Sequence, residues 1–253
     1  MSDWFESAFS KDYLVLYPHR NDAEARRDVD RILALLDPPR DQPLLDLCCG
    51  AGRHLEALYD AGFATLTGLD LSQDLLHEAQ ARFQRAGASD IQLHRADMRE
   101  IPFEDRFATV LSMFTSFGYF EDPLDDVKVL RGAFRALRAN GTLLMDTLNR
   151  ETVILNLTPR EVRESDDVRL HIARSLSPDE QRIEKETRVV ASGRQDLVYH
   201  ESVRMYTMEE MQAMLCAVGF EDVRAYGSLD GCAYEPLSPR MVLVARKRGP
   251  HGT

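Results

Sequence analysis

Residues 44–55, LLDLCCGAGRHL, carry the strongest local indication of the fold of this chain. An apolar run ends in Gly50-Ala51-Gly52, and a segment with helical character follows at once. Glycines permit positive φ and let the main chain approach a ligand closely, and the N-terminus of the next helix favours an anion such as a carboxylate. Leu55 stands where the third glycine of the dinucleotide fingerprint Gly-x-Gly-x-x-Gly would be. The stretch therefore predicts either a ligand-binding strand–turn–helix unit or a plain tight turn.

Short apolar runs alternate with amphipathic stretches from Leu44 to about Leu148. Most of these runs are apolar nearly throughout, as strands covered on both faces are. Repeated strand–helix alternation implies parallel strands with right-handed crossovers, and therefore a doubly wound α/β sheet. The runs occupy residues 44–49, 65–71, 91–97, 107–114 and 141–148, and the helix candidates occupy residues 53–61, 73–87 and 123–138.

The segments on either side of this region have other patterns. Residues 1–43 are predicted to form a mostly helical cap, in which Pro38-Pro39 ends the amphipathic stretch DAEARRDVDRILALL. Residues 149–205 alternate polar and apolar positions, which is typical of half-exposed antiparallel strands. We interpret them as a small antiparallel β insertion of roughly three strands.

The end of the chain completes the predicted sheet. A helix at 207–220 precedes strands at 222–229 and 240–247, which can form an antiparallel terminal hairpin. Residues 44–148 and 206–248 are thus predicted to form one mainly parallel, seven-stranded α/β domain.

Composition and charge exclude several classes of function. The formal net charge of −11 repels phosphate backbones, so nucleic acid is not expected as the main partner. Cysteines occur at positions 48, 49, 216 and 232 without a Cys-x-x-Cys pair, so neither a metal site nor a disulfide framework is expected. The sequence has no signal-peptide pattern and no apolar stretch near the roughly 20 residues that span a bilayer, so we expect a cytoplasmic protein without membrane contact.

Two acidic residues come at the ends of the predicted second and third strands. Asp70, in GLDLS, comes 18 positions after Gly52, where a carboxylate accepts hydrogen bonds from ribose hydroxyls. Asp97 and Met98, in RADMREIPF, are placed to flank an adenine ring. Each acid alone fits a helix cap or a solvated side chain equally well. Together with the glycine turn, they favour a ligand that contains a nucleoside.

A dense group of apolar and aromatic residues follows the predicted fourth strand, in SMFTSFGYFED, residues 112–122. Ligands bind at the carboxyl edge of a parallel sheet, so we expect one or two of these side chains to form site walls and the others to pack in the core. The residues are Met113, Phe114, Phe117, Tyr119 and Phe120.

In this order and spacing, DLCCGAGRH, GLDLS, RADMREIPF and MFTSFGYF resemble the motifs of class I S-adenosylmethionine-dependent methyltransferases. The resemblance covers nearly the whole chain and is nearest to bacterial small-molecule enzymes of the sugar N-methyltransferase kind, which carry a Tyr-rich N-terminal stretch like YLVLYPHR. It implies a Rossmann-like fold, S-adenosylmethionine as cofactor, an N-terminal helical lid and methyl transfer to nitrogen or oxygen of a small molecule. It also accounts for Leu55, because this cofactor has no pyrophosphate.

The resemblance implies roles for individual residues. The first-strand acid and the glycine turn would hold the methionine part of the cofactor, and the second-strand acid would hold the ribose. Asp97 and Met98 would contact the adenine, and Met113 would lie near the reacting centre. Aromatic rings are expected near the sulfonium, because their faces attract a cation. The predicted cofactor contacts are Tyr13, Tyr17, Arg20, Asp46, Cys49, Gly50, Gly52, Asp70, Leu71, Asp97, Met98, Met113, Phe114 and Phe117.

The sequence identifies no general base. The catalytic candidates are Tyr17, His200 and Phe117, with His54 and Glu201 also considered as bases, and a neutral amine acceptor would need none. Two other functions stay open, a nicotinamide-dependent oxidoreductase and an S-adenosylmethionine-binding module without turnover. The expected partner is a small-molecule acceptor, and a homo-oligomer is left open.

Overall fold

The computed structural model describes residues 4, 5, 9, 21–165, 168–191 and 196–249, and within them the predicted α/β architecture is confirmed. The helices are α1 (Asp22–Leu36), α2 (Arg53–Asp60), α3 (Gln73–Ala86), α4 (Pro123–Ala136), α5 (Arg150–Leu155) and α6 (Met208–Val218). The strands are β1 (Leu44–Leu47), β2 (Leu66–Asp70), β3 (Gln92–Arg95), β4 (Phe107–Ser112), β5 (Leu137–Thr147), β6 (Arg160–Ser165), β7 (Val168–Leu176), β8 (Arg182–Ala191), β9 (Leu197–Arg204), β10 (Glu221–Tyr226) and β11 (Met241–Arg246).

The main sheet has seven strands in the order β10-β11-β5-β4-β1-β2-β3. Strands β1 to β5 pair in parallel, whereas β11 runs antiparallel to both β5 and β10. The predicted terminal hairpin is therefore confirmed. The strand order reverses between β1 and β4, which places the carboxyl ends of the central strands around the crevice where an open α/β sheet binds ligands.

Buried side chains fill both faces of this sheet. On one face, α1, α2 and α3 pack against the strands through a cluster that includes Ile32, Leu55 and Phe83. On the other face, α4 and α6 pack through a cluster that includes Val129 and Leu215. Because helices cover both faces, the central strands are apolar nearly throughout, and this is the pattern that predicted them.

The insertion forms a second sheet with four antiparallel strands, β6-β7-β8-β9, where the sequence predicted three. The sequence did not reveal β6 because Glu161, Arg163 and Glu164 are polar and Val162 is 55% exposed, so the strand has no apolar face. A short helix, α5, connects β5 to this sheet.

Local signals set the helix ends. Ser72 caps α3, since its hydroxyl accepts the Leu75 N–H at 3.2 Å. Helix α6 begins with a capping box between Thr207 and Glu210. None of the helices within the described ranges is long and apolar enough to cross a membrane.

Candidate functional site

A cavity of about 530 Å³ opens at the carboxyl edge of the main sheet. Small-molecule sites have volumes of roughly 300–1,000 Å³. The walls come from the turns that follow β1, β2, β3 and β4, from the starts of α2 and α3, and from Phe5 and Phe9 near the N-terminus. The cavity therefore brings together the four motifs that the sequence analysis singled out.

The glycine turn after β1 is built from left-handed backbone. Cys48, Gly50 and Gly52 have φ of 62°, 53° and 74°, so β1 ends at Leu47, two residues before the end of the apolar run. Of the residues that the structure describes, a Cβ on Gly50 would meet only Leu75 Cδ1, at 3.9 Å. The space beside Gly50 belongs to the cavity, which this glycine lines together with Cys48.

Gly52 has a packing role and does not line the cavity, although it was expected to contact the ligand. A Cβ on Gly52 would stand 2.5 Å from the Phe83 ring, so glycine lets α2 and α3 meet. Leu55 fits in place of a third glycine because β2 carries Gly68, whose Cβ would stand 2.6 Å from Leu55 Cδ1. The helix and the strand can therefore approach closely because the glycine lies on the strand.

Asp70 joins the glycine turn to the start of α3. Its Oδ2 accepts the Gly50 N–H and its Oδ1 accepts the Ser72 N–H, each at 2.8 Å. Burial raises the pKa of this carboxyl, and the main-chain hydrogen bonds act in the opposite direction. The carboxylate lines the cavity beside Leu71, and it retains lone pairs that can accept hydrogen bonds from a diol.

Asp46, on β1, is 1% exposed, and its Oδ2 has no hydrogen-bond partner among the described residues. Burial raises the pKa of Asp46 to about 6, and the charge of His54 acts in the opposite direction. A buried carboxylate oxygen without a donor costs free energy unless a ligand satisfies it. Because Asp46 lines the cavity, the arrangement fits the ammonium group of a ligand.

Asp97 and Met98 line the cavity beyond the end of β3. Asp97 is paired with Arg99, whose Nη2 donates to Oδ2 at 2.6 Å and whose main-chain N–H donates to Oδ1 at 2.8 Å. The Met98 Sδ lies 3.5 Å from the Cys48 Sγ. Asp97 therefore lines the cavity as a carboxylate that is already paired with Arg99, and Met98 presents an apolar surface beside it.

The main chain turns sharply after β4, at Phe114 and Thr115, which have φ of 55° and 63°. Left-handed backbone at residues other than glycine costs on the order of 1–3 kcal/mol per residue. The turn is held by Asp146, whose Oδ2 accepts the Phe114 N–H at 3.2 Å and whose carbonyl accepts the Thr115 N–H at 2.8 Å. Arg240 Nε donates to Asp146 Oδ1 at 2.7 Å. This support keeps Phe114 on the cavity wall.

Four of the five apolar residues expected at the end of β4 line the cavity, namely Met113, Phe114, Tyr119 and Phe120. Phe117 does not. It is 3% exposed, and its ring centroid lies 5.6 Å from that of Tyr206. Phe117 therefore packs in the core, because the main chain between the left-handed turn and Tyr119 directs it away from the site.

The N-terminal part of the wall was missed by the sequence analysis. Phe9 stacks on Tyr119 with ring centroids 5.7 Å apart, and its carbonyl accepts the Ser72 hydroxyl at 2.6 Å. The signal was the aromatic spacing in WFESAF, residues 4–9. The predicted contacts Tyr13, Tyr17 and Arg20 lie outside the described residues. Further wall residues that were not predicted are Cys48, Ala51, Arg53, Ser72, Gln73, Asp74, Leu75, Arg95, Ala96 and Ser116.

The two base candidates of the insertion lie apart from the cavity. His200 has a side chain that is 67% exposed and lies 3.8 Å from Glu186, and Glu201 forms an ion pair with Lys185 at 2.8 Å. Neither His200 nor Glu201 lines the cavity, whereas His54 does.

Comparison with known proteins agrees with this geometry. Residues 44–141 match the family model described as a methyltransferase domain. The chain is similar to dTDP-3-amino-3,4,6-trideoxy-alpha-D-glucopyranose N,N-dimethyltransferase of Streptomyces venezuelae, with 40% identity over 33% of this chain and 32% of that protein. It is also similar to dTDP-3-amino-3,6-dideoxy-alpha-D-glucopyranose N,N-dimethyltransferase of Streptomyces fradiae, with 42% identity over 32% of this chain and 29% of that protein. The chain thus aligns with about a third of the length of these relatives.

A solved structure extends the likeness to the whole fold. An S-adenosylmethionine-dependent methyltransferase from Clostridium acetobutylicum superposes with a TM-score of 0.78 at 16% identity, over 94% of this chain and 96% of that one. At this identity the match concerns the fold, which is the Rossmann-like fold of these methyltransferases. The family match itself extends over residues 44–141, which are similar to a methyltransferase domain.

Proposed function

Because residues 44–141 are similar to a methyltransferase domain, we propose that this chain transfers the methyl group of S-adenosylmethionine to the amine nitrogen of a small molecule. The observation that carries the proposal is the buried Asp46 Oδ2, which has no hydrogen-bond partner within the described residues, beside the glycine turn that Asp70 holds. A cofactor that joins an amino acid to a nucleoside presents an ammonium group to the first carboxylate and a ribose diol to the second.

The wall of the cavity fits the rest of this cofactor. Asp46 and Gly50 would hold the amino-acid part, and Asp70 would hold the ribose. Leu71 and Met98 present apolar surface for the adenine, and the Asp97 carboxylate lies beside them. These residues meet in one cavity of small-molecule size, which supports a ligand that joins an amino acid to a nucleoside.

The bound cofactor supplies an activated methyl group on its sulfonium, so the residues of the chain have to place the acceptor and exclude water. Holding two reactants in attack geometry contributes ~7–11 kcal/mol to lowering the barrier. Phe114 and Tyr119 present aromatic rings to the cavity, and an aromatic face near a cation is favourable by about 0.5–2 kcal/mol. We assign these two rings, with Met113, to the wall around the sulfonium.

An amine acceptor agrees with where the described base candidates lie, since His54, which lines the cavity, stands at the start of α2 beside the place proposed for the amino-acid part of the cofactor. His200 and Glu201 lie away from the cavity, and Phe117 is in the core. A neutral amine has a lone pair ready for attack and needs no base before the transfer. The two Streptomyces relatives are named as N,N-dimethyltransferases of amino sugars. We therefore favour a small molecule that carries an amino group, and an amino sugar as the first class to test.

The insertion and the N-terminal cap are proposed to border the acceptor. Arg182 of β8 donates to the carbonyls of Phe120 at 2.9 Å and Tyr119 at 3.3 Å, so the insertion holds the main chain of two wall residues. Phe5 and Phe9 form the wall on the N-terminal side. An acceptor would enter between these two parts of the chain.

Calorimetric titration with S-adenosylmethionine and S-adenosylhomocysteine tests the cofactor. We expect both to bind the wild-type protein, Asp46→Asn to weaken both by at least about tenfold, and the exposed Asp41→Asn to leave them unchanged. Folded protein that binds neither ligand at millimolar concentration would overturn the proposal.

Transfer is tested with methyl-labelled cofactor and a panel of nucleotide-linked amino sugars, simple amines and the matching hydroxyl compounds. We expect label on nitrogen and none on the hydroxyl compounds. Label on oxygen alone would reject the amine acceptor. Tight cofactor binding without label transfer to any component of a metabolite extract would favour a binding module without turnover, and enhanced fluorescence of added NADH would favour an oxidoreductase.

A further inference from the structure

A buried polar pair between α1 and α2 has no role in the function proposed so far. Asp28, on α1, is 6% exposed, and His54, on α2, is 5% exposed. The Asp28 Oδ2 and the His54 Nε2 lie 3.6 Å apart, and neither atom has a hydrogen-bond partner in the part of the chain that the structure describes. The second carboxylate oxygen, Oδ1, lies 3.7 Å from Arg31 Nη1. Buried polar atoms left unpaired cost about 1–3 kcal/mol each, so the pair requires a functional explanation.

The pair lies directly behind the wall of the cavity. His54 is the second residue of α2 and lines the cavity, and its ring stacks on that of Phe114 with centroids 5.2 Å apart. Asp28 does not line the cavity. The imidazole therefore faces the cavity on one side and a carboxylate on the other, which is the arrangement by which a carboxylate orients a histidine ring toward a ligand.

The surroundings of His54 suit an anion. The first N–H groups of α2 have no acceptor within the helix and carry partial positive charge. Arg53 lines the cavity next to His54, with its Nη1 4.0 Å from Glu24 Oε2. Asp46, on the same cavity wall, offers the opposite charge. A zwitterionic amino-acid end therefore finds separate places for its two charged groups.

We propose that Asp28 is a positioning residue for recognition of the ligand's carboxylate. The doubly protonated ring of His54 donates its Nε2–H to Asp28, which balances the added charge, and its Nδ1–H to the ligand's carboxylate, and Arg53 supports the same group. The Nε2-to-Oδ2 distance has to shorten by less than about 1 Å to reach hydrogen-bonding range. The inference rests on the proposed function and extends it, because it makes α1 part of the site.

Three probes separate carboxylate recognition from the other contacts. S-adenosylhomocysteine carries both charged groups, decarboxylated S-adenosylhomocysteine keeps the ammonium alone, and methylthioadenosine has neither. Calorimetry with Asp28→Asn should show S-adenosylhomocysteine weakened by about tenfold, with the affinities of the other two changed by less than about twofold. Asp30→Asn is the matched control, because Asp30 lies on the same helix and is exposed, and it should change none of the three.

Several outcomes would overturn the role of Asp28. They are equal weakening of all three probes by Asp28→Asn, which indicates a general structural defect, and unchanged binding of S-adenosylhomocysteine. If the wild-type protein binds none of the probes, the proposed function fails as well. If it binds all three but Asp28→Asn shows no selectivity for the carboxylate, the function stands and only this inference is rejected.

A second variant covers the case in which Asp28→Asn folds poorly. His54→Gln should show the same selective loss for S-adenosylhomocysteine. In that background, Asp28→Asn should add no further selective loss, because the two residues act through one contact. Selective losses that add independently in the double variant would show that Asp28 does not act through His54.

Discussion

Leu55 lies against Gly68 so closely that a Cβ on the glycine would stand 2.6 Å from the leucine Cδ1. Helix α2 thus approaches β2 without a glycine of its own at this point. This contact explains how a Gly-x-Gly turn can be followed by leucine at a ligand site. The small residue that the close approach requires lies on the strand, as Gly68, and not on the helix. Cys49 Sγ and Leu93 Cδ2 enclose the same space, at 2.7 and 3.0 Å from that Cβ position.

Gly68→Ala should lower the free energy of unfolding by about 1–3 kcal/mol, because the added methyl overfills a packed interior. Urea unfolding measures the change. Adding Leu55→Ala to the same chain should cost less than Leu55→Ala alone costs the wild type, since each substitution offsets the other's volume. Strictly additive losses would show that the two side chains do not share this space.

Binding of an ammonium group should weaken in acid because of Asp46. The pKa of Asp46 is raised to about 6, so the carboxylate that the ammonium requires is lost as pH falls through that value. Decarboxylated S-adenosylhomocysteine should bind about tenfold more weakly at about pH 5 than at about pH 7.5. Asp46→Asn should remove this dependence. Methylthioadenosine is the control, and an equal pH dependence for it would contradict the assignment.

Two neighbouring aspartates should have opposite effects on the pH dependence of stability. Burial raises the pKa of Asp126 from 3.8 to about 6. The stability that protonated Asp126 contributes is therefore fully present at a pH below the pKa of the group in the unfolded chain, and it is lost as pH rises through about 6. A hydrogen bond from Lys128 lowers the pKa of Asp125, so its contribution is lost as pH falls. Unfolding at several pH values between about 3 and 7 measures both.

The expected differences follow from these signs. Asp126→Asn should remove about 1–3 kcal/mol of the change in unfolding free energy between about pH 4 and 6. The stability of this variant should therefore fall less steeply than that of the wild type as pH rises toward neutrality. Asp125→Asn should remove a small contribution of the opposite slope, because its partner Lys128 is largely exposed. Equal slopes in the two variants would contradict the opposite pKa shifts.

Asp146→Asn should destabilise the left-handed turn at Phe114. In the wild-type protein, the Phe114 N–H and Arg240 donate to separate oxygens of the Asp146 carboxylate. The amide of asparagine has only one oxygen to accept both hydrogen bonds. We expect a loss of about 1–3 kcal/mol in unfolding free energy together with weaker S-adenosylhomocysteine binding. Asp105→Asn is the control, since its pair with Lys247 lies at an exposed carboxylate and should be worth about 0–1 kcal/mol.

Phe117 and Tyr119 should respond differently to truncation. Tyr119→Leu should weaken S-adenosylhomocysteine binding by about three- to tenfold, because this ring lines the cavity and stacks on Phe9. Phe117→Leu should lower stability by about 1–2 kcal/mol and leave the dissociation constant within about twofold. A larger increase in the dissociation constant for Phe117→Leu would show that Phe117 contributes to the site.

Much of the fold was predictable because burial leaves a local record. Strands covered on both faces become apolar runs, and caps such as Ser72 mark the helix starts. Strand β6 has no apolar face, so its sequence shows no such pattern and the strand was not predicted. The site motifs were predictable for a related reason: parallel strands end at one edge, so the residues at their carboxyl ends must converge.

The amino-acid pattern alone predicts the doubly wound sheet, the edge at which the site forms and the acidic residues Asp46, Asp70 and Asp97 at that edge. Long-range packing sets what the pattern does not predict: Phe117 points away from the cavity, Gly52 lies against the Phe83 ring, and Asp28 stands behind His54. These features escape prediction because the direction of a side chain at a strand end depends on contacts between distant parts of the chain. Asp146 holding the backbone of Phe114 is one such contact, and no local periodicity encodes it.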